Sequence, residues 1–278
     1  MPVRAFSASD AAFASQLADL EGWGGSALDY RDLVKLEPRG CFVAEEGGQP
    51  VGMIASIAYG KLGWIGALVV KTGYRRRGYG QALVDRAVGW LLDRGARTIG
   101  LDATLQAVPF YTRAGFRPAY ESLHLRRKAQ AAPLPIEDSL VPMESTDLHA
   151  VTMFDWAPFG GRRRRVLRAL LQCSPVAYLA QDKDGVGGYL MARPGRDCWI
   201  IGPWVCLRSA ESLLTRALAA IGQEPARVVV PKVNEHALEL VRAHGFKVYY
   251  RELRMYQGDQ EGIGRPHQVY AIASPEKG

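Results

Sequence analysis

The stretch Trp64–Asp93, WIGALVVKTGYRRRGYGQALVDRAVGWLLD, decides the fold. Ile65 to Val70 is a short apolar run rich in branched residues, the pattern of a strand buried on both faces. The turn KTGYRRRGYG follows. Beyond it Ala82, Leu83, Ala87, Trp90 and Leu91 recur at helical spacing, with Asp85, Arg86 and Asp93 between them. The unit is strand, glycine-rich basic turn, helix. The first amides of a helix have no partners inside it, and the helix dipole gathers positive charge there. Gly78 and Gly80 let the backbone approach a bulky anion, and Arg75, Arg76 and Arg77 carry guanidinium groups suited to phosphate oxygens. Such a turn suits a pyrophosphate. A dinucleotide fingerprint would need a third glycine and a later acid, and a nucleoside-triphosphate loop would need Gly-Lys-Ser/Thr; neither is present. The plainer alternative is a solvated turn whose arginines serve solubility.

Working outward, Val3 to Phe6 reads as a strand, and Ser9 as the N-cap of a helix reaching Leu20. A glycine-broken loop from Glu21 leads to a second helix, Ala27 to Leu36, stopped by Pro38 and Gly40. Cys41 to Glu45 and Val51 to Tyr59 read as strands joined by the hairpin turn GGQP. After the anchoring unit come a strand, Arg97 to Asp102, and a short helix within TLQAVPFYTRAGF. Its Pro109 is tolerated only in the first turn, and Gly115 ends it. Arg117 to Arg127 supplies the last strand or strands.

Arg75-x-x-Gly78-x-Gly80 straight after a strand resembles the pyrophosphate loop of the GCN5-related N-acetyltransferases, and the element order over residues 3–127 is similar to theirs. A second motif agrees. Family members carry Asn-x-x-Ala-x-x-x-Tyr-x-x-x-Gly-Phe in the late helix; here Ala107, Tyr111, Gly115 and Phe116 match, and Thr104 stands where Asn is usual. The resemblance implies an α/β fold: a mixed twisted sheet with a splayed parallel strand pair, flanked by helices. It implies acetyl-CoA as co-substrate, held by Leu68, Val69 and Val70 pairing with pantetheine and by Arg75, Arg76, Arg77, Gly78, Tyr79, Gly80, Gln81 and Tyr111. A freed amide near Val70 would face the thioester oxygen. Tyr111 stands at the family's general-acid position, to protonate the leaving thiolate; a tyrosine packing a helix is the alternative. An alkylamine is mostly protonated near neutral pH, so a base is needed. Asp102, closing the splayed strand, is the first candidate, with capping of the next helix as its alternative; Glu45 and Glu46 are weaker ones. Trp23, Tyr30, Tyr59 and Trp64 are candidates to line an acceptor pocket, although such aromatics also serve as core or rim.

The pattern then returns. Ala129 to Pro142 is a proline-bearing linker, and beyond it Asn234, Ala237, Gly245 and Phe246 repeat the late-helix motif. The helix SLLTRALAAI, from Ser212, matches ALVDRAVGWL, from Ala82. The phosphate turn is shortened to GPWVCLRSAE, and Val241 replaces Tyr111. The domains expected are therefore residues 1–128, catalytic, and 143–278, a degenerate copy joined by the linker 129–142. That copy would cover the acceptor pocket, set substrate choice or bind a regulator. The run Arg162 to Arg165 reads as a solvated basic face, or as a place for an acidic substrate group.

The net charge of +7 is spread evenly over the two halves, which argues for local phosphate sites rather than a nucleic-acid groove. Cys41, Cys173, Cys198 and Cys206 lack paired ligand spacing, so no metal is expected, and core thiols in a reducing cytoplasm are. No run suggests a signal core or a membrane span. The sequence thus predicts a cytoplasmic N-acetyltransferase, monomer or homodimer, acting on a small amine without nucleic-acid or membrane partners. The competing class is a non-catalytic acyl-CoA sensor.

Overall fold

The chain is described by a computed structural model covering residues 1–23, 27–134, 140–260 and 263–278, with residues 27–29 described by backbone alone. The first half runs β1 (Val3–Ala5), α1 (Ala11–Leu20), α2 (Ala27–Leu36), β2 (Cys41–Glu46), β3 (Gln49–Tyr59), β4 (Leu62–Val70), α3 (Tyr79–Leu92), β5 (Thr98–Thr104), α4 (Val108–Arg113) and β6 (Arg117–Arg127). The second runs β7 (Leu140–Pro142), α5 (Leu148–Phe159), α6 (Arg164–Gln172), β8 (Val176–Asp182), β9 (Gly185–Pro194), β10 (Trp199–Cys206), α7 (Ala210–Ile221), β11 (Ala226–Pro231), α8 (Glu235–Ala243), β12 (Lys247–Gly258) and β13 (Val269–Ala271). Each expected element of the first half is present. The start of α1 differs, because Ser7 and Asp10 form the capping pair: the Ser7 amide and hydroxyl both donate to Asp10 Oδ2, at 2.8 and 2.7 Å. Ser9 is one residue inside that turn.

The described strands join in one mixed sheet, ordered β1-β2-β3-β4-β5-β12-β6-β11-β10-β9-β8-β7, with β13 on β10. The two halves exchange their last long strands. β12, from the second half, pairs with β5 from Thr98↔Gly258 to Thr104↔Glu252. β6, from the first half, pairs with β11 from Ser122↔Pro231 to Arg127↔Ala226. β6 and β12 also pair with each other at the centre. Neither half therefore completes its own sheet, and the sequence boundaries 1–128 and 143–278 do not mark spatially separate units.

The exchange is held by apolar burial. Met255 and Leu253 of β12 pack into the core beneath α3 and α4, with Ile65, Leu83 and Tyr111. Leu123 and Leu125 of β6 pack beneath α7 and α8 with Leu213 and Val241. Each such side chain contributes roughly 1.5–3 kcal/mol by leaving water. On the opposite face α1, α2, α5 and α6 share one core, in which Leu17 and Leu33 meet Phe159 and Leu167. Arg165 Nη2 of α6 donates to Glu37 Oε2 just past α2, at 2.8 Å. The last described residues, Pro275 to Gly278, lie on this face against β4. Trp64 Nε1 donates to Pro275 O and Tyr59 Oη to Lys277 O, both at 2.8 Å.

Candidate active site

β4 and β5 pair in parallel at Leu62↔Thr98, Gly63↔Ile99 and Trp64↔Gly100, and then part. β4 continues along β3 and β5 along β12. A bulge opens the gap: Gly66 pairs with Ala55 and Val69 with Met53, so Ala67 and Leu68 both oppose Ile54, and Ala67 takes φ 52°. Past the bulge the Lys71 amide donates to Val51 O, at 2.8 Å. Strand alternation then turns the amides and carbonyls of Val70 and Leu68 away from β3, toward the side that β5 has left. The Val70 carbonyl accepts from Arg75 Nε at 2.9 Å.

The basic turn follows at once. Gly78 takes φ 89° as the residue before α3, a conformation that a side chain would strain. A Cβ on Gly80 would stand 3.6 Å from the Phe110 ring and 4.0 Å from Val70, so β4, α3 and α4 converge on its bare backbone. Tyr79 is buried, and Gln81 is exposed and bonded to Asp85 at 2.8 Å. Of the three arginines, Arg75 is paired with Glu21 and Arg77 with Glu46, Arg77 lying over the Tyr74 ring at 5.3 Å. Arg76 is exposed at φ 59° and forms no ion pair among the described residues. Such exposed pairs are worth about 0–1 kcal/mol, so Arg75 and Arg77 can exchange their carboxylates for an anionic ligand.

Tyr111 lies on α4, wedged edge-on between Phe110 and Phe116 with ring centroids at 5.1 and 5.7 Å. Its hydroxyl hydrogen-bonds to no other described residue. Burial, helped by the Glu252 carboxylate, raises its pKa well above the usual phenol value. The phenol therefore keeps its proton until a strong base appears beside it.

Similarities to known proteins bear on this arrangement. A model of the acetyltransferase (GNAT) family matches residues 11–116, and one of the acetyltransferase (GNAT) domain matches residues 151–271. The chain belongs to the GNAT acetyltransferase family. It carries two GNAT domains in tandem. It is 29% identical over 232 residues to the uncharacterized N-acetyltransferase YitH of Bacillus subtilis, covering 80% of this chain and 78% of that protein. A crystal structure from Pyrococcus horikoshii, described as a "putative acetyltransferase", superposes with TM-score 0.84 at 25% identity, over 100% of this chain and 95% of that one. A tandem GNAT protein from the clavulanic acid biosynthesis pathway shares the fold, with TM-score 0.62 at 15% identity, over 92% of this chain and 98% of the other.

In this GNAT protein several expected site residues hold other posts. Asp102 is not a free base. Its carboxylate receives Arg254 Nε at 2.9 Å and Nη2 at 2.7 Å, and the Ser122 hydroxyl at 2.7 Å, in a buried pair. Nor does Asp102 cap the next helix, which begins at Val108. Glu45 is tied to Arg4 at 2.7 Å and Glu46 to Arg77, both on β2, two strands from the bulge. Tyr59 and Trp64 are core residues rather than pocket walls, whereas Tyr30, also buried, lines a small cavity with Phe6, Leu33, Met53 and Ala67 of the bulge. A Cβ on Gly100 would come within 2.4 Å of the Trp64 ring, so glycine there makes room for the indole. Trp23 alone of the four is half-buried, packed against the shared core just past α1; residues 24–26 of the expected specificity loop lie outside the described residues. Arg163 is neither solvated nor a substrate clamp: it is fully buried, paired with Asp155 at 2.8 and 2.9 Å. Cys173 is exposed, whereas Cys41, Cys198 and Cys206 are buried.

The second half repeats the splay and then fills it. β10 and β11 pair in parallel from Trp199↔Ala226 to Ile201↔Val228. Beyond that, β13 pairs with β10 at Trp204 and Val205, and the Ile272 amide donates to Val229 O of β11 at 3.0 Å. Asn234 does two jobs: its side chain accepts the Ala237 amide at 3.0 Å and donates to Val269 O at 3.1 Å, which fastens the inserted strand. Arg208 of the shortened turn is already bonded to Asp182 Oδ1, at 2.8 Å.

One feature of the first splay escaped the sequence. Glu252 of β12 pairs across from Thr104, and its Oε2 lies 2.8 Å from His124 Nε2 of β6. Nothing local marks Glu252, which sits inside KVYYRELRMYQG, an ordinary strand of the other half. Only the exchange brings it here.

Among the described residues no cluster of three or more His, Cys, Asp or Glu is arranged to hold a metal, and no helix is long and apolar enough to cross a membrane.

Proposed function

We propose that the protein transfers the acetyl group of acetyl-CoA to a primary amine of a small molecule, by direct attack while both are bound. The observation that carries this reading is the open first splay beside a left-handed glycine and a basic turn. Acetyl-CoA, when bound, supplies an activated acyl group. The chain's residues fit it: Leu68 and Val70 offer strand amides, and the start of α3 with Arg76 and the bare backbone of Gly80 offers positive charge to a diphosphate. The amides freed at the Ala67–Leu68 bulge and at Val70 would stabilise charge growing on the thioester oxygen. Tyr111, protonated and undonated, would give its proton to the departing sulfur.

Calorimetry with acetyl-CoA, together with thiol release in the presence of a panel of primary amines, tests the reading. We expect one acetyl-CoA bound per chain and thiol release that depends on the amine. Two equivalents per chain would contradict the filled second splay. Binding without turnover on any amine would favour an acyl-CoA sensor.

A further inference from the structure

We infer that Glu252 is the base that takes the proton from the acceptor amine, and that His124 positions it. The assignment rests on the acetyl-transfer reading, and names a catalytic group that the second half supplies to the first.

Height along the sheet is the first ground. Trp64 and Gly100 are partners in the parallel pair, so Leu68 and Thr104, each four residues further on, stand at about the same level. Leu68 belongs to the bulge whose amides face the gap, and Glu252 is the direct neighbour of Thr104. Glu252 thus stands beside the splay at the level where the thioester would lie. The face of the sheet is the second ground. Glu252, Arg254 and Tyr256 alternate with Leu253 and Met255, which lie under α3 and α4. Glu252 therefore faces the α1 side, from which an acceptor can approach without crossing α3.

Availability is the third ground. The neighbouring carboxylates are committed: Asp102 to Arg254, and Glu276 to Lys277. Burial raises the Glu276 pKa, but the Lys277 ammonium, a backbone amide and Ser274 together bring it down to about 2. Among the described residues Glu252 has no guanidinium or ammonium partner; its hydrogen-bond partner is the His124 ring. Burial raises its pKa above the ordinary carboxylate value, His124 opposes this, and the Asp102 and Glu276 charges add to the rise. Tyr111 and Tyr250 both feel the Glu252 charge. The His124 ring, 2.8 Å away, holds the carboxylate in place.

The step balances. The substrate ammonium gives one proton to the Glu252 carboxylate. The nitrogen lone pair then forms the N–C bond to the thioester carbon, and the C–S bond breaks with its electron pair on sulfur. Tyr111 protonates that sulfur, and the second proton on the amine nitrogen, lost as the amide forms, restores the phenol. Glu252 then returns its proton to solvent, so one proton is released per turnover.

The experiment follows kcat and kcat/KM against pH for the intact chain, using whichever of spermidine, lysine amide and phenylethylamine the wild type turns over fastest, with acetyl-CoA affinity measured in parallel. Glu252→Gln keeps a hydrogen bond to His124 and should leave acetyl-CoA affinity unchanged while lowering kcat roughly 100-fold or more, the usual scale for a lost general base. In the wild type, activity should fall as pH drops through the raised pKa of Glu252, because the protonated acid cannot accept; that acidic limb should vanish in Glu252→Gln. Glu252→Asp, a shorter carboxylate, should restore part of kcat together with the limb, which a merely structural role would not do. A Glu252→Gln enzyme within threefold of wild type, or one slowed with its acidic limb intact, overturns the assignment. If Glu252→Gln fails to fold, Glu252→Asp decides: an unchanged rate and pH profile overturns it, and a slower enzyme with a displaced limb supports it. Wild-type protein that neither binds acetyl-CoA nor releases thiol overturns the acetyl-transfer reading itself, and this assignment with it.

Discussion

Tyr111 and Asp102, both expected at the chemistry, differ in the company they keep. Tyr111 is buried among aromatic rings and keeps a proton that no described neighbour shares. Tyr111→Phe removes only the hydroxyl, so the packing against Phe110 and Phe116 should survive. We expect unchanged acetyl-CoA affinity and a kcat lowered roughly 10²-fold, seen in steady-state thiol release. Equal turnover in the two proteins would remove Tyr111 from the reaction. Asp102 is instead spent on Arg254, whose guanidinium also lies 4.4 Å from the Trp64 ring centroid. Removing one member of a buried pair strands the other, at a cost of about 3–5 kcal/mol. Asp102→Asn should therefore lower unfolding stability by about that much in denaturant titration, and Arg254→Met added to it should recover part of the loss. A stability loss under about 1 kcal/mol would mean that the pair is not what secures β12 to β5.

At the scale of elements, the same strand–turn–helix unit occurs twice with opposite outcomes. In the first half the turn from Lys71 to Gly78 is long, passes through φ 59° at Arg76 and φ 89° at Gly78, and sets a bare helix start beside an open strand edge. In the second half only Leu207 to Ser209 separate β10 from α7, and β13 occupies the strand edge. Gly78→Glu tests the first turn. The left-handed conformation costs a non-glycine residue about 1–2 kcal/mol, and a carboxylate there repels a diphosphate. We expect acetyl-CoA affinity to fall more than 100-fold in calorimetry, with only a few degrees lost in thermal melting. Retained affinity would place the diphosphate elsewhere.

At the scale of the whole molecule, the exchange of β6 and β12 makes the two halves interdependent. Residues 1–128 alone would present β5 without β12, and β6 without either of its partners, so exposed strand edges would drive self-association. We expect that fragment to aggregate or dimerise in light scattering, and to be recovered as a one-to-one complex when co-expressed with residues 129–278. A monomeric fragment with cooperative unfolding would show that the exchanged strands are dispensable. The arrangement also gives the degenerate half a task. Its own splay is closed by β13, yet it contributes Arg254 to the buried pair and Glu252 to the edge of the first splay.

The pattern of apolar residues and turn chemistry is local, so the sequence by itself determined the strands, the helices, the glycine-marked turn after β4 and the repeat of the unit beyond residue 142. Val241, read against Tyr111, and the shortened turn already marked the second copy as altered. Pairing between distant strands is not local. Nothing in KVYYRELRMYQG states that it lies between β5 and β6, because its alternation would suit a place in either half's sheet. Only the tertiary structure decided that Asp102 is neutralised by Arg254, that Tyr59 and Trp64 are capped by residues 275–278, and that Glu252 stands beside the first splay. Each of these depends on which charge or ring another segment, more than 100 residues away, brings to the same place.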